Sequence, residues 1–342
     1  MKSSPKSINP PTLSDVARLA SVSVATASRA LSNPDLVAED TRKSVLDAAA
    51  SCGYRVNLLA RSLRKRRTDT LLVLIPEINN EFYPEIITSM EHRAHAEGFA
   101  MILGLTENQL EREHSYFELL GAQRADGLAI LDGGIDRLIE QGVQPVMPVV
   151  QVLECTGGPS MPSVLTDDHK VSEQAVTHLW DLGHRRIAHI SGSKNSLVSW
   201  ERITGFRSAL ERRGATSCND MIVDGNYCHE GGEAAMHKLL SLDLPPTAVF
   251  CANDASALGA LRACRESGRR VPDDISIIGV DDTSIATMTD PPLTTIRQPR
   301  ADIGKAAINL LIDMVRGKRD IETRIVIPTQ LVVRGSTAPP PA

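Results

Sequence analysis

Side chains that can bind a small polar molecule directly follow several apolar runs of this sequence. Asn253 stands near the end of AVFCAND, Asp281 stands near the end of IIGVDD, and Arg202 follows the run AHISG at a short distance. A carboxylate accepts hydrogen bonds and a guanidinium donates them, so Asp281 and Arg202 could together hold vicinal hydroxyl groups. The alternative is that a strand-end Asp or Asn only caps the helix that follows it.

Aromatic side chains stand close to the same points of the sequence. Phe82 and Tyr83 follow the apolar run TLLVLIP, and Trp200 lies just before Arg202. A few polar groups combined with aromatic rings are typical of a site for a small organic ligand. We therefore expect a ligand site built from the ends of these apolar runs.

A second set of side chains, close to the N-terminus, suits the edges of DNA bases. Arg29 can donate two parallel hydrogen bonds to a guanine, and Val24 and Ala25 can contact a thymine methyl group. The neighbouring residues that suit phosphate contacts are Ser23, Thr26 and Ser28. The alternative is an ordinary helix corner with a solvated arginine.

The charge of the chain favours the DNA interpretation. Residues 1–67 carry 12 Lys and Arg against 5 Asp and Glu, whereas the whole chain has a net charge of −5. A basic segment attached to an acidic body indicates that the segment binds a polyanion. A basic tail without regular structure is the alternative.

The residues of this basic segment predict a helix-turn-helix. Thr12 and Asp15 have the pattern of an N-terminal cap, Ser23 can cap a second helix over 24–32, and a third helix is expected over 39–52. Gly53 then stands where a C-terminal cap glycine belongs. Small residues at the contacts allow two short helices to pack closely, as the DNA-binding motif requires.

The segment YRVNLLARSLRKRRTD predicts a further short helix at about residues 57–65. Asn57 can cap this helix, Leu63 can enter a minor groove as an apolar wedge, and Arg64 can contact phosphate. The helix is too short to be stable alone, so a second copy and the DNA would have to order it. The alternative is a basic linker that does not fold.

From Thr70 onward, short apolar runs alternate with helix-like segments. The runs are 70–76, 100–105, 126–131 and 146–153, followed by 185–192, 247–254 and 275–282. Nearly continuous apolar strands that alternate with helices predict parallel sheets covered on both faces. Two such sets imply an α/β core of two doubly wound subdomains, with the ligand outside the carboxyl ends of the strands.

The common catalytic motifs are missing from the sequence. It has no P-loop, no H-E-x-x-H, no G-x-S-x-G and no strand followed by G-x-G-x-x-G. We expect no catalytic residues, no metal and no other cofactor. The spacing of His178, His184 and His189 is too irregular for a metal set, and we expect them on the surface.

Several features predict a soluble cytoplasmic protein without a membrane partner. The six cysteines are scattered, the first residues lack the apolar core of a secretory signal, and no run is long enough to span a bilayer.

The segment LSDVARLASVSVATASRALSNPD, with VAEDTR, GY and LARSL after it, resembles the DNA-binding head of the LacI/GalR family of transcriptional repressors. The stretches LGHRRIAHISG, VPDDISIIGVDD and DPPLTTIRQPR are similar to the periplasmic-binding-protein-like core of that family. SRALSNPD, DPPLTTIRQPR and LVVRGST look most like its cytidine-repressor branch. Two positions depart from the family pattern: Ala38 replaces a helix-capping Ser, and Val56 stands in place of Pro.

The resemblance implies both the domain limits and the binding residues. The head would comprise residues 1–68 and the core 69–337, with a disordered tail at 338–342. One subdomain would comprise about 70–166 plus 300–326, and the other about 167–299 plus 327–337. The positions that correspond to effector contacts in the family are Phe82, Tyr83, Arg202, Asn253 and Asp281, with Trp200 and Tyr227 as weaker candidates.

The sequence therefore predicts a transcriptional regulator, and more specifically a repressor. As a homodimer it would bind a pseudo-palindromic operator in double-stranded DNA, and a nucleoside or sugar effector would control its affinity. The alternative is a cytoplasmic binding protein of the periplasmic-receptor type without a specific DNA function.

Overall fold

The computed structural model describes residues 11–32, 34–54, 67–121, 125–131, 139, 147–155, 161–215 and 219–341. The chain divides into two compact units, Met1–Thr68 and Asp69–Ala342, which we call the head and the core. The head is helical and the core contains two sheets covered by helices, which confirms the predicted fold class.

Three α-helices and a short 3-10 helix, Pro34–Leu36, form most of the described part of the head. The α-helices are α1 (Leu13–Leu19), α2 (Val24–Ser32) and α3 (Glu39–Cys52). Their shared core consists mostly of small side chains, among them the buried Ala17, Ala27 and Ala30. Because these side chains are short, the helix axes can approach closely, and the outer face of α2 needs no apolar residue for packing.

The helix caps of the head follow the predicted pattern. Thr12 and Asp15 form a reciprocal capping box at the start of α1, and Ser23 Oγ accepts a hydrogen bond from the backbone N of Thr26 at 3.1 Å. Gly53 ends α3 in the left-handed conformation, with φ of 70°. Ala38 makes no side-chain cap at the start of α3, so the departure from the family pattern leaves backbone N–H groups there without a side-chain acceptor.

The core contains twelve strands among its described residues. They are β1 (Thr70–Ile75), β2 (Ala100–Leu105), β3 (Gly127–Leu131), β4 (Val149–Val152), β5 (Ser163–Leu165), β6 (Ile187–Ser191), β7 (Ile222–Asp224), β8 (Ala248–Cys251), β9 (Ser276–Asp281), β10 (Thr294–Arg297), β11 (Arg324–Val326) and β12 (Gln330–Val332).

Helices cover both faces of these strands. The helices of the core are α4 (Tyr83–Ala96), α5 (Leu110–Gly121), α6 (Asp168–Asp181), α7 (Leu197–Glu211), α8 (His229–Leu240), α9 (Asp254–Glu266), α10 (Ser284–Met288) and α11 (Arg300–Val315).

The strands form two six-stranded sheets. Sheet 1 has the order β11-β5-β4-β3-β1-β2, and all its pairs are parallel. Sheet 2 has the order β12-β10-β9-β8-β6-β7 and is parallel except for the pair of β10 with β12. The central strands β3, β4, β8 and β9 are buried along their whole length. Burial on both faces is the reason for their continuous apolar sequences.

The chain passes between the two sheets three times. It leaves sheet 1 after β5, returns to it with α11, and crosses again between β11 and β12. The carboxyl ends of the parallel strands, where ligands of such sheets bind, carry the residues described below.

The C-terminal residues correct one prediction. A disordered tail was expected from residue 338 onward, but the backbone N of Ala338 donates to Ser276 Oγ at 3.0 Å and its carbonyl O accepts from His184 Nε2 at 2.8 Å. Ser336, just before, is buried and bonds to both backbone groups of Ile277. These hydrogen bonds hold Ser336 and Ala338, where the predicted tail begins, against sheet 2.

The histidines correct a second prediction, because two of them are buried rather than on the surface. His184 is buried between the tail and sheet 2, and His189 stacks on the rings of Phe206 and Phe250 at centroid distances of 5.3 and 4.5 Å. Burial lowers the pKa of His189 to about 4. Both therefore belong to the core packing, while His178 is half-buried and bonds to Thr337.

Candidate effector and DNA-binding sites

The outer face of α2 carries the side chains predicted to read DNA bases. Val24 is 47% exposed, and Ser23, Ala25 and Arg29 are exposed as well, whereas Ala27 and Ala30 face the helical core. Thr26 and Ser28 are half-buried at the edge of this face. The exposed face thus combines a guanidinium with two small apolar groups, as direct base contacts require.

Some of the predicted DNA-binding residues cannot be placed in the same way. Asn57, Leu63 and Arg64 lie outside the described residues, and so does Val56. Their roles remain those inferred from the sequence.

In the core, Arg202 is buried on α7 and pairs with a residue that the sequence analysis did not single out. Its Nε donates to Asp168 Oδ1 at 2.7 Å, and its Nη1 donates to the carbonyl O of Ala252 at 2.5 Å. Burial opposes the charge of Arg202, but Asp168, Tyr227 and Asp281 together raise its pKa above the ordinary value. Arg202 is therefore a fixed cation whose main partner is Asp168, and Asp281 acts on it electrostatically.

Asp281 ends β9 in an uncommon backbone conformation. Its φ is 115° and that of Asp282 is 57°, a region that residues other than glycine rarely adopt. The side chain is buried, Oδ1 accepts a hydrogen bond from Gln298 Nε2 at 2.8 Å, and burial beside Asp254 raises its pKa to about 8. Strained backbone at a strand end is a feature of ligand sites, and it gives Asp281 a fixed direction.

Arg300 holds this strained turn from the side of sheet 1. Its Nη1 donates to the carbonyl O of Asp281 at 3.0 Å, and its Nη2 donates to the carbonyl O of Asp282 at 3.2 Å. Its Nε donates to Glu85 of α4 at 2.8 Å. Through one guanidinium, the turn that carries Asp281 is connected to a helix that packs on the other sheet.

Asn253 acts as a helix cap in the structure. Its Oδ1 accepts hydrogen bonds from the backbone N and the hydroxyl of Ser256, at 2.9 and 2.7 Å. Its Nδ2 donates to the carbonyl O of Tyr227 at 2.9 Å, which holds the turn of Tyr227 with its φ of 57°. The capping alternative considered from the sequence therefore describes Asn253, and its amide also positions Tyr227.

The aromatic candidates separate into two groups. Phe82 and Tyr83 are buried at the start of α4, with their rings edge to face at a centroid distance of 5.6 Å. The ring of Tyr227 lies over Gly192, where any side chain would collide with it. Trp200, by contrast, is 60% exposed on α7. Its exposure makes Trp200 the weakest of the predicted effector contacts.

Glu154, which sequence reasoning missed, joins the two sheets. It follows β4 of sheet 1, and its Oε1 accepts hydrogen bonds from Ser196 Oγ at 2.7 Å and from the backbone N of Val198 at 3.3 Å. Ser196 caps α7, which follows β6 of sheet 2. The signal in the sequence was the acidic residue directly after an apolar run, the same signal that identified Asp281.

We call the residues brought together here the inter-sheet site. They are Glu154, Asp168, Ser196, Arg202, Tyr227 and Asp281, connected by the contacts given above and by the 3.5 Å approach of Ser196 Oγ to Tyr227 Oη. The site combines three carboxyl groups, one guanidinium, a phenol and the hydroxyl of Ser196, so it can both donate and accept hydrogen bonds.

One group of side chains in the described residues has the spacing of metal ligands. Glu233, His237 and Glu266 lie together on the outer faces of α8 and α9. Arg262 already pairs with both carboxylates, at 3.6 Å to Glu233 and 3.0 Å to Glu266. A bound cation would have to displace this arginine, so the group is better described as a surface ion-pair network.

A helix-turn-helix head joined to a two-sheet core with a polar site between its strand ends defines a ligand-responsive DNA-binding regulator. Residues 12–57 match the family model of the bacterial regulatory proteins of the lacI family, and residues 176–337 match that of the periplasmic binding protein-like domain. The chain is 37% identical to the HTH-type transcriptional repressor CytR of Escherichia coli K12, over 95% of this chain and 96% of that protein. The chain belongs to the LacI family.

Other relatives and solved structures agree with this assignment. Catabolite control protein A of Priestia megaterium is 36% identical over 95% of this chain and 99% of its own. The lac repressor dimer bound to operator and the anti-inducer ONPF is 28% identical, with a TM-score of 0.86 over 96% of this chain and 100% of that one. The regulator CelR in its complex with cellobiose is 32% identical, with a TM-score of 0.73 over 95% of this chain and 99% of that one.

Family membership decides the class of activity. The relatives are transcriptional regulators, so this chain is a DNA-binding transcriptional regulator with a small-molecule effector and not an enzyme. None of the helices in the described residues combines the length and the apolar character needed to cross a membrane.

Proposed function

We propose that the protein is a homodimeric repressor whose affinity for a pseudo-palindromic operator is controlled by a nucleoside in the inter-sheet site. The observation that carries the DNA part is the exposed face of α2, where Val24, Ala25 and Arg29 stand free of the helical core. A two-fold dimer would present two such helices to successive major grooves. Since DNA is its partner, we place the protein in the cytoplasm.

The head residues have distinct roles in this proposal. Arg29 reads a guanine, Val24 and Ala25 contact a thymine methyl group, and the hydroxyl residues next to them contact phosphate. The remaining predicted contacts are made by Asn57, Leu63 and Arg64 in the segment that joins head and core. We also retain the predicted end of the head at residue 68 and the predicted subdomain limits, but not the end of the core at residue 337, because Ala338 bonds to sheet 2.

The control of DNA affinity is assigned to the core. A ligand that binds the two sheets of the core in one relative arrangement better than in another shifts the population toward that arrangement. The contacts that join the sheets are those of Glu154 and Arg300 and a hydrogen bond that Ser284 Oγ, at the start of α10, donates to Glu81 at 2.6 Å just before α4. They are the elements that such a ligand would strengthen or release. The resulting change of DNA affinity cannot exceed the difference in ligand affinity between the two states, and DNA changes the affinity for the ligand by the same factor in return.

A nucleoside fits the inter-sheet site for two reasons. The carboxyl group of Asp281, which can donate as well as accept, and the fixed guanidinium of Arg202 suit ribose hydroxyls, and the ring of Tyr227 suits the face of a base, as the sequence also predicts for Phe82. The second reason is that the chain matches CytR with 37% identity over 96% of the length of that protein. A sugar effector is the second candidate, favoured by the similarity to the CelR–cellobiose complex.

Thermal unfolding of the full chain with candidate ligands tests this proposal. A ligand that binds the folded state raises the Tm by mass action, so nucleosides, free bases, pentoses and hexoses should be compared at equal concentration. We expect a shift with a nucleoside, and a change in DNA affinity with the same compound. A shift produced by hexoses alone would refute the nucleoside assignment.

The same two measurements, of Tm and of DNA affinity, made on Asp281→Ala separate ligand binding from DNA binding. The variant should bind DNA as the wild type does and lose the response to the nucleoside. Loss of DNA binding instead would show that Asp281 serves the fold of the core.

A further inference from the structure

We propose that Gln298 is the positioning residue that transmits effector binding at Asp281 to the crossings between the two sheets, through the hydroxyl of Thr166. The inference rests on the proposed nucleoside function and deepens it. It assigns the coupling between ligand binding and DNA affinity to a series of buried hydrogen bonds. We call the residues of this series, Asp281, Gln298 and Thr166, the crossing chain.

The first support is the place of Gln298 in the fold. It directly follows β10, whose last residue Arg297 pairs with Asp281 of β9, and its backbone N donates to the carbonyl O of Asp281 at 3.4 Å. Arg300, two residues later, already begins α11, which packs on sheet 1. Gln298 therefore stands on the second crossing, where the chain returns from sheet 2 to sheet 1, and its backbone is attached to sheet 2.

The second support is that both ends of its side-chain amide are used. Nε2 donates to Asp281 Oδ1 at 2.8 Å, and Oε1 accepts from Thr166 Oγ1 at 3.2 Å. Thr166 directly follows β5, so it stands on the first crossing, where the chain leaves sheet 1. Because the amide is planar, a ligand that displaces the carboxyl group of Asp281 also turns the other end of the amide away from Thr166.

The third support is the burial of the crossing chain. The exposed fractions of Thr166, Gln298 and Asp281 are 6%, 4% and 5%. Bulk water has little access to such positions, so a broken bond leaves a buried polar group without a partner. That loss costs more free energy than an average hydrogen bond contributes. The bond between the first and the second crossing therefore favours one relative arrangement of the two sheets.

The other connections from this region of sheet 2 to sheet 1 are exposed. Arg300 holds the backbone after β9 and pairs with Glu85, but the side chain of Glu85 is 49% exposed. The hydrogen bond from Ser284 to Glu81 is exposed as well. Polar pairs at exposed positions compete with water and contribute little. We therefore assign the larger share of the coupling to the buried bond between Thr166 and Gln298.

Thr166→Val in the full-length protein tests the proposal, because valine has nearly the shape of threonine and lacks the hydroxyl. Fluorescence anisotropy measures the affinity for a DNA duplex that the wild type has selected from a random pool. The measurement is made without ligand and with cytidine, uridine, adenosine or inosine in turn. We call the ratio of DNA affinities with and without nucleoside the coupling factor. Isothermal titration gives the affinity of the DNA-free protein for the nucleoside.

Thr166→Val should separate the two quantities. We expect the affinity of the DNA-free variant for the nucleoside to stay within about twofold of the wild type, and its coupling factor to move toward one by at least about threefold. Coupling is reciprocal, so the affinity of the DNA-bound variant for the nucleoside should change by the same factor. A residue that served only the stability of the core would not produce this separation.

Thr329→Val is the matched control. Thr329 stands on the third crossing, and its hydroxyl accepts from Gln174 Nε2 at 2.9 Å, a bond that does not involve the crossing chain. This variant should keep the wild-type coupling factor. Thr166→Ser retains a hydroxyl and should keep it as well. Gln298→Leu removes both side-chain bonds, so it should lower the nucleoside affinity and the coupling together.

Each possible outcome decides between the proposals. A wild-type coupling factor in Thr166→Val or in Gln298→Leu refutes the role of the crossing chain and leaves the nucleoside proposal intact. An equal loss of coupling in Thr166→Val and Thr329→Val refutes it too, because any bond at a crossing would then serve. Loss of nucleoside affinity in Thr166→Val with the coupling retained shows that Thr166 only shapes the ligand site, which also refutes the proposal. If no nucleoside changes the DNA affinity of the wild type, the nucleoside function and the transmission through Gln298 are both wrong.

Discussion

Replacing Asp281 with Asn should remove a pH dependence from the stability of the core. Burial, together with the neighbouring carboxylate of Asp254, raises the pKa of Asp281 from the ordinary value of 3.8 to about 8. The folded core therefore retains a proton that the unfolded chain releases. The contribution of this proton to the free energy of unfolding is complete at pH values below the pKa of Asp281 in the unfolded chain. It is lost as the pH rises toward the pKa of Asp281 in the folded core.

The magnitude follows from one proton. The free energy of unfolding should decrease by about 1.4 kcal/mol for each pH unit within this window, or by about 3 kcal/mol between pH 5 and pH 7. In Asp281→Asn this loss disappears, because an amide does not ionise. Asn also accepts the hydrogen bond from Gln298 and is among the residues that tolerate a positive φ best.

Urea denaturation at several pH values measures the effect. Both tryptophans, Trp180 and Trp200, lie in the core, so their fluorescence reports its unfolding without a signal from the head. Asp243→Asn, at an exposed position, is the matched control and should follow the wild type. If wild type and Asp281→Asn lose the same stability between pH 5 and pH 7, the reasoning about Asp281 is refuted.

Three further predictions concern other parts of the chain. Arg29→Ala should weaken specific DNA binding by about 1–3 kcal/mol, measured by fluorescence anisotropy with operator DNA, and unchanged affinity would contradict base reading by Arg29. Asp168→Asn leaves the buried guanidinium of Arg202 unpaired and should destabilise the core by about 3–5 kcal/mol in urea denaturation. A loss below about 1 kcal/mol would show that other groups compensate the charge. Ala38→Ser should stabilise the head by about 1 kcal/mol, because a serine hydroxyl can cap α3, and thermal circular dichroism would reveal no gain if the cap does not form.

The helix caps and the buried central strands could be predicted from the sequence, because each depends on residues that are close together in the chain. The capping box at Thr12, the cap at Ser23 and the left-handed Gly53 follow from residue type and position alone. The long central strands were equally visible, since burial on both faces produces a continuous apolar run. By contrast, the three-residue strands β5, β7, β11 and β12 are too short to show a period, and they were not predicted.

Contacts between distant residues explain what the sequence did not show in the site. Asp168 and Arg202 lie on different helices, and Glu154 meets Ser196 only because two sheets come together. Asp168 looks like an ordinary acidic residue at a helix start, whereas Glu154 carried the same signal as Asp281, an acidic residue directly after an apolar run. The tail was mispredicted for the same reason, because the partners of Ala338 are Ser276 and His184, far away in the sequence.

The three crossings of the chain have a consequence for its synthesis on the ribosome. Sheet 1 needs α11, whose Ile303, Ala307 and Leu311 fill its apolar core, and it needs β11 as its edge strand. Both are made only after the whole of β6 to β10 has been translated. The first five strands must therefore wait with an uncovered apolar face while sheet 2 emerges. Sheet 1, which is translated first, is completed only after sheet 2 has been translated. A chain truncated before residue 300 would therefore expose the apolar face that α11 covers and would be a target for chaperones or proteases.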